Sequence, residues 1–377
     1  MADGGRIEIG LVLQGGGALG AYEWGAITAL LDVMDAAERE WGHTVTLTGV
    51  TGVSIGAVNA ACLVGSTDRD DARARLRTMW EDLRLDASPL LPVQTQRDLS
   101  LFGLPGFFTP RTDYWNALGW TYVYDTRPLL DTLAEHVDFD RLNGSPTALT
   151  VTAVEVRTGR LTRFRNPVAG AYAAEPPPVP RIRPEHVLAS GSLAPQFPWV
   201  RIGHAHYWDG GLVDNAPLAD AIDSFSPGDG VERLLVVLNL YPLRARLPRN
   251  LPEVTDRVHE LSFGNRLRQD ARTAERVNQL VSTIEELAAL VPAGELPEAL
   301  RLQVERARLL KVVTVVDVDM QNPLGSTASS VEQVPVDDSE GLRDFSARTV
   351  ELRRSIGYRI TADRLEAFLQ RGPKPVR

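Results

Sequence analysis

The chain has 377 residues, 44% hydrophobic and 24% charged, with a formal net charge of −9. That composition fits a folded chain with room for one large α/β domain plus an extension, and its acidic balance, with no basic block, argues against a general nucleic-acid binder. The single cysteine, Cys62, excludes an internal disulfide framework, and no apolar run reaches the roughly 18 residues of a membrane span.

Strand and helix patterns alternate from the start. Residues 7–13 form an apolar, β-branched run, followed by a glycine run at 15–20 and a helical stretch at 18–40. Residues 45–53 make a second strand, which passes through Gly52-Val53-Ser54-Ile55-Gly56 into a small-residue helix ending near Val64. A charged amphipathic helix is predicted at 70–83. Between 85 and 125 the periodicity fades, and Phe102, Phe107, Phe108, Tyr114, Trp115, Trp120, Tyr122 and Tyr124 crowd among prolines. This stretch reads as a packed insertion, either a lid or wall for an apolar substrate or a satellite core; Trp115 and Trp120 are its candidates for a lipid interface.

Pro128 starts a helix that continues to about 137, and 147–156 with 161–164 form a hairpin. The prolines at 176–180 mark a surface loop, 184–190 a short helix, and 207–208 the end of a strand before Asp209-Gly210-Gly211. Residues 234–240 read as a buried central strand. Beyond 242 the pattern turns helical at 254–290 and 297–309, then gives a strand at 312–318 and helices at 342–355 and 361–369. The expected fold class is α/β, three layers with a mostly parallel central sheet and helices on both faces. Residues 1–242 would form the main domain and 243–377 a largely helical extension packing on it. With no leader pattern at the N-terminus, a cytoplasmic location is expected.

Gly15-x-Gly17-x-x-Gly20 after a strand matches a dinucleotide-binding fingerprint in letters. That reading wants an acidic residue at the end of the second strand, where this chain has Thr51-Gly52-Val53-Ser54. A phosphate-binding P-loop fails for want of a following Gly-Lys-Ser/Thr. What remains is a glycine-rich turn at a helix N-terminus, whose free N–H groups suit an oxyanion.

Gly-x-Ser-x-Gly between a strand and a helix lifts a serine above the sheet, so Ser54 is the candidate nucleophile, framed by Gly52 and Gly56. Its base need not be histidine. His259 sits among charged residues on a helical stretch and reads as a solvated face; His204 and His206 are the better histidine candidates. Asp209, followed by Gly210 and Gly211 at a strand end, is the stronger partner, because a desolvated carboxylate can take a serine proton directly. Cys62, in a small-residue helix, reads as core.

In this order, the Gly15–Gly20, Gly52–Gly56 and Asp209–Gly211 motifs resemble the patatin-like phospholipase family over roughly residues 7–242. The resemblance implies a Ser-Asp dyad of Ser54 and Asp209, an oxyanion hole from Gly15, Gly16 and Gly17, and a lipid or other acyl-ester substrate. It implies no cofactor and no metal, and admits peripheral contact with a membrane surface. Ala189-Ser190-Gly191-Ser192-Leu193-Ala194-Pro195 and Asn215-Ala216-Pro217 resemble family segments near the site. Leu19 departs from the Lys or Arg of many members, which weakens the expectation of a phosphate-bearing substrate. A thioesterase or an intracellular polyhydroxyalkanoate depolymerase on the same dyad stays open, as does, in another class, a non-catalytic lipid-binding protein. The oligomeric state is not read from the sequence.

Overall fold

The computed structural model describes residues 5–88, 90–167, 181–226, 230–241, 247–248, 251–291, 297–298, 300–302, 304, 313–320 and 341–370. The prolines at 176–180 and most of the expected 297–309 helix lie outside the described residues. In chain order the elements begin with β1 (Arg6–Leu13), α1 (Gly20–Glu40), β2 (Thr44–Gly52), α2 (Ile55–Val64) and α3 (Arg69–Leu83). The aromatic insertion follows as α4 (Val93–Asp98), two 3-10 turns (Leu99–Phe102 and Tyr114–Gly119) and a two-residue ribbon of β3 (Thr109–Pro110) and β4 (Tyr124–Asp125). Then come α5 (Arg127–His136), α6 (Phe139–Gly144), β5 (Ala148–Glu155), β6 (Leu161–Arg165), α7 (Pro184–Ser190), β7 (Val200–Ile202) and β8 (Ala205–Asp209). The chain continues with α8 (Leu218–Asp223), β9 (Val231–Asn239), α9 (Leu251–Ala289), β10 (Thr314–Asp319) and, to close, α10 (Ala347–Leu369).

Eight strands form one sheet in the order β10-β9-β1-β2-β5-β8-β7, with β6 pairing β5 off this path. The first four pairings are parallel, and the antiparallel strands gather at the other edge. Both faces of β1 are buried, as its continuous apolar run requires. Ile7, Ile9, Leu11 and Leu13 join the main core with α1 and α2; Val12 joins Leu218, Ala221 and Phe225 on the opposite face. The three-layer α/β arrangement with a mostly parallel sheet is therefore the observed one.

The segment after 242 adds to this sheet. Its strand β10 pairs in parallel with β9 along Thr314–Asp319. The two helices expected at 342–355 and 361–369 are one, because α10 packs backbone to backbone on α1. A Cβ on Gly25 would sit 1.9 Å from Arg354 O, and one on Gly357 would sit 2.1 Å from Tyr22 O. Gly357, which weakens an isolated helix, is kept helical by that close contact. No helix among the described residues is long and apolar enough to cross a membrane.

Candidate active site

The turn between β2 and α2 is built around two positions with no room for a side chain. A Cβ on Gly52 would meet Gly56 O at 2.5 Å, and one on Gly56 would meet Leu13 O and Gln14 O at 2.7 Å. The chain turns so tightly that Ser54 takes φ 55, the single positive φ of any non-glycine residue among those described. Such a backbone costs about 1–2 kcal/mol and persists where its surroundings enforce it. Ser54 N–H donates to Ser190 Oγ at 2.9 Å, which ties the turn to the end of α7.

Asp209 reaches this serine through strand register. β6 occupies one edge of β5, so β2 and β8 share the other. Gly52 pairs with Val151 at the end of β2, and Asp209 pairs with Ala153 two residues further along. The carboxylate therefore emerges just beyond the strand that carries Ser54, and both residues line the same cavity. Gly211 N–H donates to Asp209 Oδ1 at 2.7 Å, and Asp209 N–H donates to Ser192 O at 3.0 Å. Gly210 is required because a Cβ there would lie 2.5 Å from Thr152 O. Burial pushes the Asp209 carboxyl from the ordinary 3.8 up to about 7, against the lowering effect of its bonds from Gly211 and Ser54.

The glycine turn is fixed from three directions. Gly15 donates its N–H to Asn215 Oδ1 and accepts from Asn215 Nδ2, both at 3.0 Å, and Tyr241 donates its hydroxyl to Gly15 O. Gly17 has φ 52, and a Cβ on it would lie 2.5 Å from Leu342 O, the carbonyl that accepts from Ala18 N–H at 2.9 Å. Underneath, the buried Glu23 accepts from Gln14 N–H at 2.7 Å and from Asn59 Nδ2 at 3.0 Å; burial lifts its carboxyl to about 8. With the Gly15 N–H taken by Asn215, the N–H groups of Gly16 and Gly17 are the two in the turn without an acceptor among the described residues.

Ser54, Asp209 and the three glycines line the floor of one cavity of about 160 Å³. Its walls are apolar. Phe107, Phe108, Tyr124, Phe197 and Phe345 form a connected ring cluster with neighbouring centroids 4.8–6.3 Å apart. The insertion is thus divided: Phe107 and Phe108 are buried in the wall, whereas Phe102, Tyr114, Trp115 and Leu118 point to solvent. Thr255, His259 and Phe263 of α9 and Leu342, Arg343 and Phe345 also line it.

Two histidine expectations need correction. His259 is half-buried and stacks on Phe263 at 5.7 Å in the cavity wall, so it is no solvated helix face. His204 is exposed and His206 packs edge-on to Trp199; neither lines the cavity. Leu19 is buried in the main core and is absent from the lining, so its side chain does not face the cavity. The Cys62 thiol is buried, which pushes it up to about 12, in keeping with a core role. Tyr241, Glu23 and Leu342 carried no sequence signal; Ser190 and Asn215 lay inside segments already singled out, without an assigned role.

A family model described as Patatin-like phospholipase matches residues 11–222, which take in both glycine-framed turns and Asp209. No curated protein matches the sequence significantly. Among solved structures the chain is similar to VipD from Legionella pneumophila, at 14% identity and a TM-score of 0.38, over 96% of this chain and 67% of that one. It is also similar to the heterodimeric ExoU–SpcU complex from the type III secretion system of Pseudomonas aeruginosa, at 16% identity and a TM-score of 0.30, over 80% of this chain and 66% of that one.

Proposed function

From the premise that this chain belongs to the patatin-like phospholipase family and is a lipid ester hydrolase, we propose that it cleaves acyl esters through a Ser54–Asp209 dyad. Ser54 Oγ attacks the acyl carbonyl while Asp209 accepts its proton. The tetrahedral oxyanion rests on the N–H groups of Gly16 and Gly17. Collapse expels the alcohol, which takes the proton back from Asp209 and leaves an acyl-serine. Asp209 then takes a proton from water as the water oxygen attacks the acyl carbon; the bond to Ser54 Oγ breaks, the proton passes from Asp209 to Ser54 Oγ, and the fatty acid leaves.

The observation that carries this reading is that Ser54, on a strained backbone turn, and the buried carboxylate of Asp209 line one apolar cavity together. A carboxylate poised at about 7 matches the operating pH better than one at 3.8, so no histidine is required between serine and acid. The aromatic wall suits an acyl chain. In this reading residues 1–242 hold the chemistry, and the segment from 243 onward closes the cavity. Labelling with a fluorophosphonate tests the nucleophile: the full chain is expected to react at Ser54 and Ser54→Ala not at all. Equal labelling of the two would end the proposal.

A further inference from the structure

The direction of each N–H group in the glycine turn is set by what holds the carbonyl at the other end of its peptide unit. A trans peptide unit is planar, so its C=O and N–H point opposite ways and fixing one fixes the other. Gly17 N–H shares its unit with Gly16 O, which accepts from Leu19 N–H at 3.0 Å. Gly16 N–H shares its unit with Gly15 O, which accepts from Asn215 Nδ2 at 3.0 Å and from the Tyr241 hydroxyl. Tyr241 stands outside the residues that the family model matches. Strand pairing delivers it to the turn. In the parallel pair of β1 and β9, Leu13 lies opposite Leu238, so both chains leave the sheet side by side. Leu240 N–H then donates to Gln14 Oε1 at 2.9 Å, and Tyr241 N–H to Asn239 Oδ1 at 3.3 Å. The ring is buried against Phe263 at 5.7 Å, and Gly264 makes room for it, since a Cβ there would lie 2.9 Å from Tyr241 Cβ. Burial, with the carboxyls of Asp209 and Glu23 nearby, pushes the Tyr241 hydroxyl well above its ordinary range, so it keeps its proton and stays a donor.

We propose that Tyr241 is a positioning residue for the oxyanion hole: its hydroxyl holds the Gly15–Gly16 peptide unit so that Gly16 N–H faces the oxygen of the acyl carbonyl. This rests on the reading of the site as an acyl hydrolase that uses that hole. Glycine makes the hold necessary. A peptide unit between two glycines lacks the steric limits that a Cβ imposes, so it rocks unless something outside the turn fixes it. A carbonyl oxygen has two lone pairs, and here Asn215 and Tyr241 take both. With the hydroxyl gone, Asn215 alone remains on that oxygen, and the unit gains freedom to tilt. Donation to an oxyanion weakens steeply with angle, so a tilt costs rate in the transition state and little in ground-state binding.

The test uses the full chain with Tyr241→Phe, which removes the hydroxyl and keeps the ring. On a soluble p-nitrophenyl ester, kcat is expected to fall about 10- to 100-fold while KM stays within about twofold. The matching thionoester, with sulfur in place of the carbonyl oxygen, gives the reading that a loosened fold would not move. Sulfur is a weak acceptor, so the aim of an N–H matters less to it, and the ratio of kcat/KM on the ester to that on the thionoester should fall about tenfold. Replacing Tyr241 by para-fluorophenylalanine fills the place of the hydroxyl without donating and should give the same fall. Replacing it by para-aminophenylalanine restores a donor and should recover most of the ratio. An unchanged kcat in Tyr241→Phe, a loss confined to KM, or an equal fall on both esters would overturn the proposal. Fluorophosphonate labelling of wild type separates the two readings. Labelled Ser54 with a ratio unmoved by Tyr241→Phe removes only the role of Tyr241, whereas an unlabelled wild type removes the hydrolase reading beneath it.

Discussion

The floor and the rim of the cavity are held by different forces. On the floor and directly behind it, position is set by backbone: Gly52, Gly56, Gly15 and Gly17 sit where a Cβ would lie 2.5–2.7 Å from another atom, and Asn215 satisfies both polar groups of Gly15. On the rim, position is set by ring packing. Phe107 and Phe108 are anchored by Phe197, Tyr124 and Phe345, while a few residues away Trp115 and Leu118 face water. The floor tolerates almost no change in shape because hydrogen bonds and steric contacts fall off within a few tenths of an ångström. The rim tolerates exchange of one apolar shape for another. Precision is concentrated where bonds would change, and adaptability where a chain of variable length would lie.

The predictions that press hardest on this contrast concern the floor. Ser54→Ala is expected to lower turnover of a soluble p-nitrophenyl ester by about 10⁴-fold or more, with secondary structure intact by circular dichroism. Asp209→Asn should lower it about 10³-fold and yet, at pH 8, raise the denaturation midpoint. The sign follows from proton linkage. A carboxyl at about 7 when folded, against the ordinary 3.8 of an unfolded chain, binds its proton more tightly in the fold, so its burden on stability is full above pH 7 and gone below 3.8. For the same reason wild-type kcat/KM should fall about tenfold per pH unit below 7. A midpoint lowered by Asp209→Asn at pH 8 would contradict the burial argument. Gly56→Ala should destabilise by about 3 kcal/mol or more in urea titration, since its Cβ would meet backbone carbonyls that cannot move aside.

Effects shrink toward the rim. Phe107→Ala should destabilise by about 2–4 kcal/mol and reduce selectivity for long over short acyl chains. Trp115→Ala, at an exposed site, should shift stability by less than about 0.5 kcal/mol and leave short-ester turnover alone. A large loss of stability at Trp115 would mean that the tip is core, and the division of the insertion would fail.

Local features were legible in proportion to how much the chain constrains itself. The strand-turn-helix around Ser54 could be read from the five letters at 52–56 and their flanks, because Gly52 and Gly56 have one common physical reason, the lack of space inside a single tight turn. The hairpin of β5 and β6 was equally local. The 342–369 stretch was misread as two helices because Gly357 looks like a breaker until α1 is set beside it. His259 looked solvated because its sequence neighbours are charged, whereas Phe263, one turn on, gives it an apolar face.

What the sequence determined by itself was the class of fold, the two glycine-framed turns and the residue types a serine hydrolase needs. Those depend on contacts within a few residues, where spacing and steric limits suffice. Tertiary structure alone decided that Gly15 gives its N–H to Asn215 200 positions away, and that Gly16 and Gly17 keep theirs. It alone decided that Leu342 closes the glycine turn and that Tyr241 donates to Gly15 O. It alone carried the Asp209 carboxyl to about 7, since burial is a property of everything packed around a group and of no single stretch of chain.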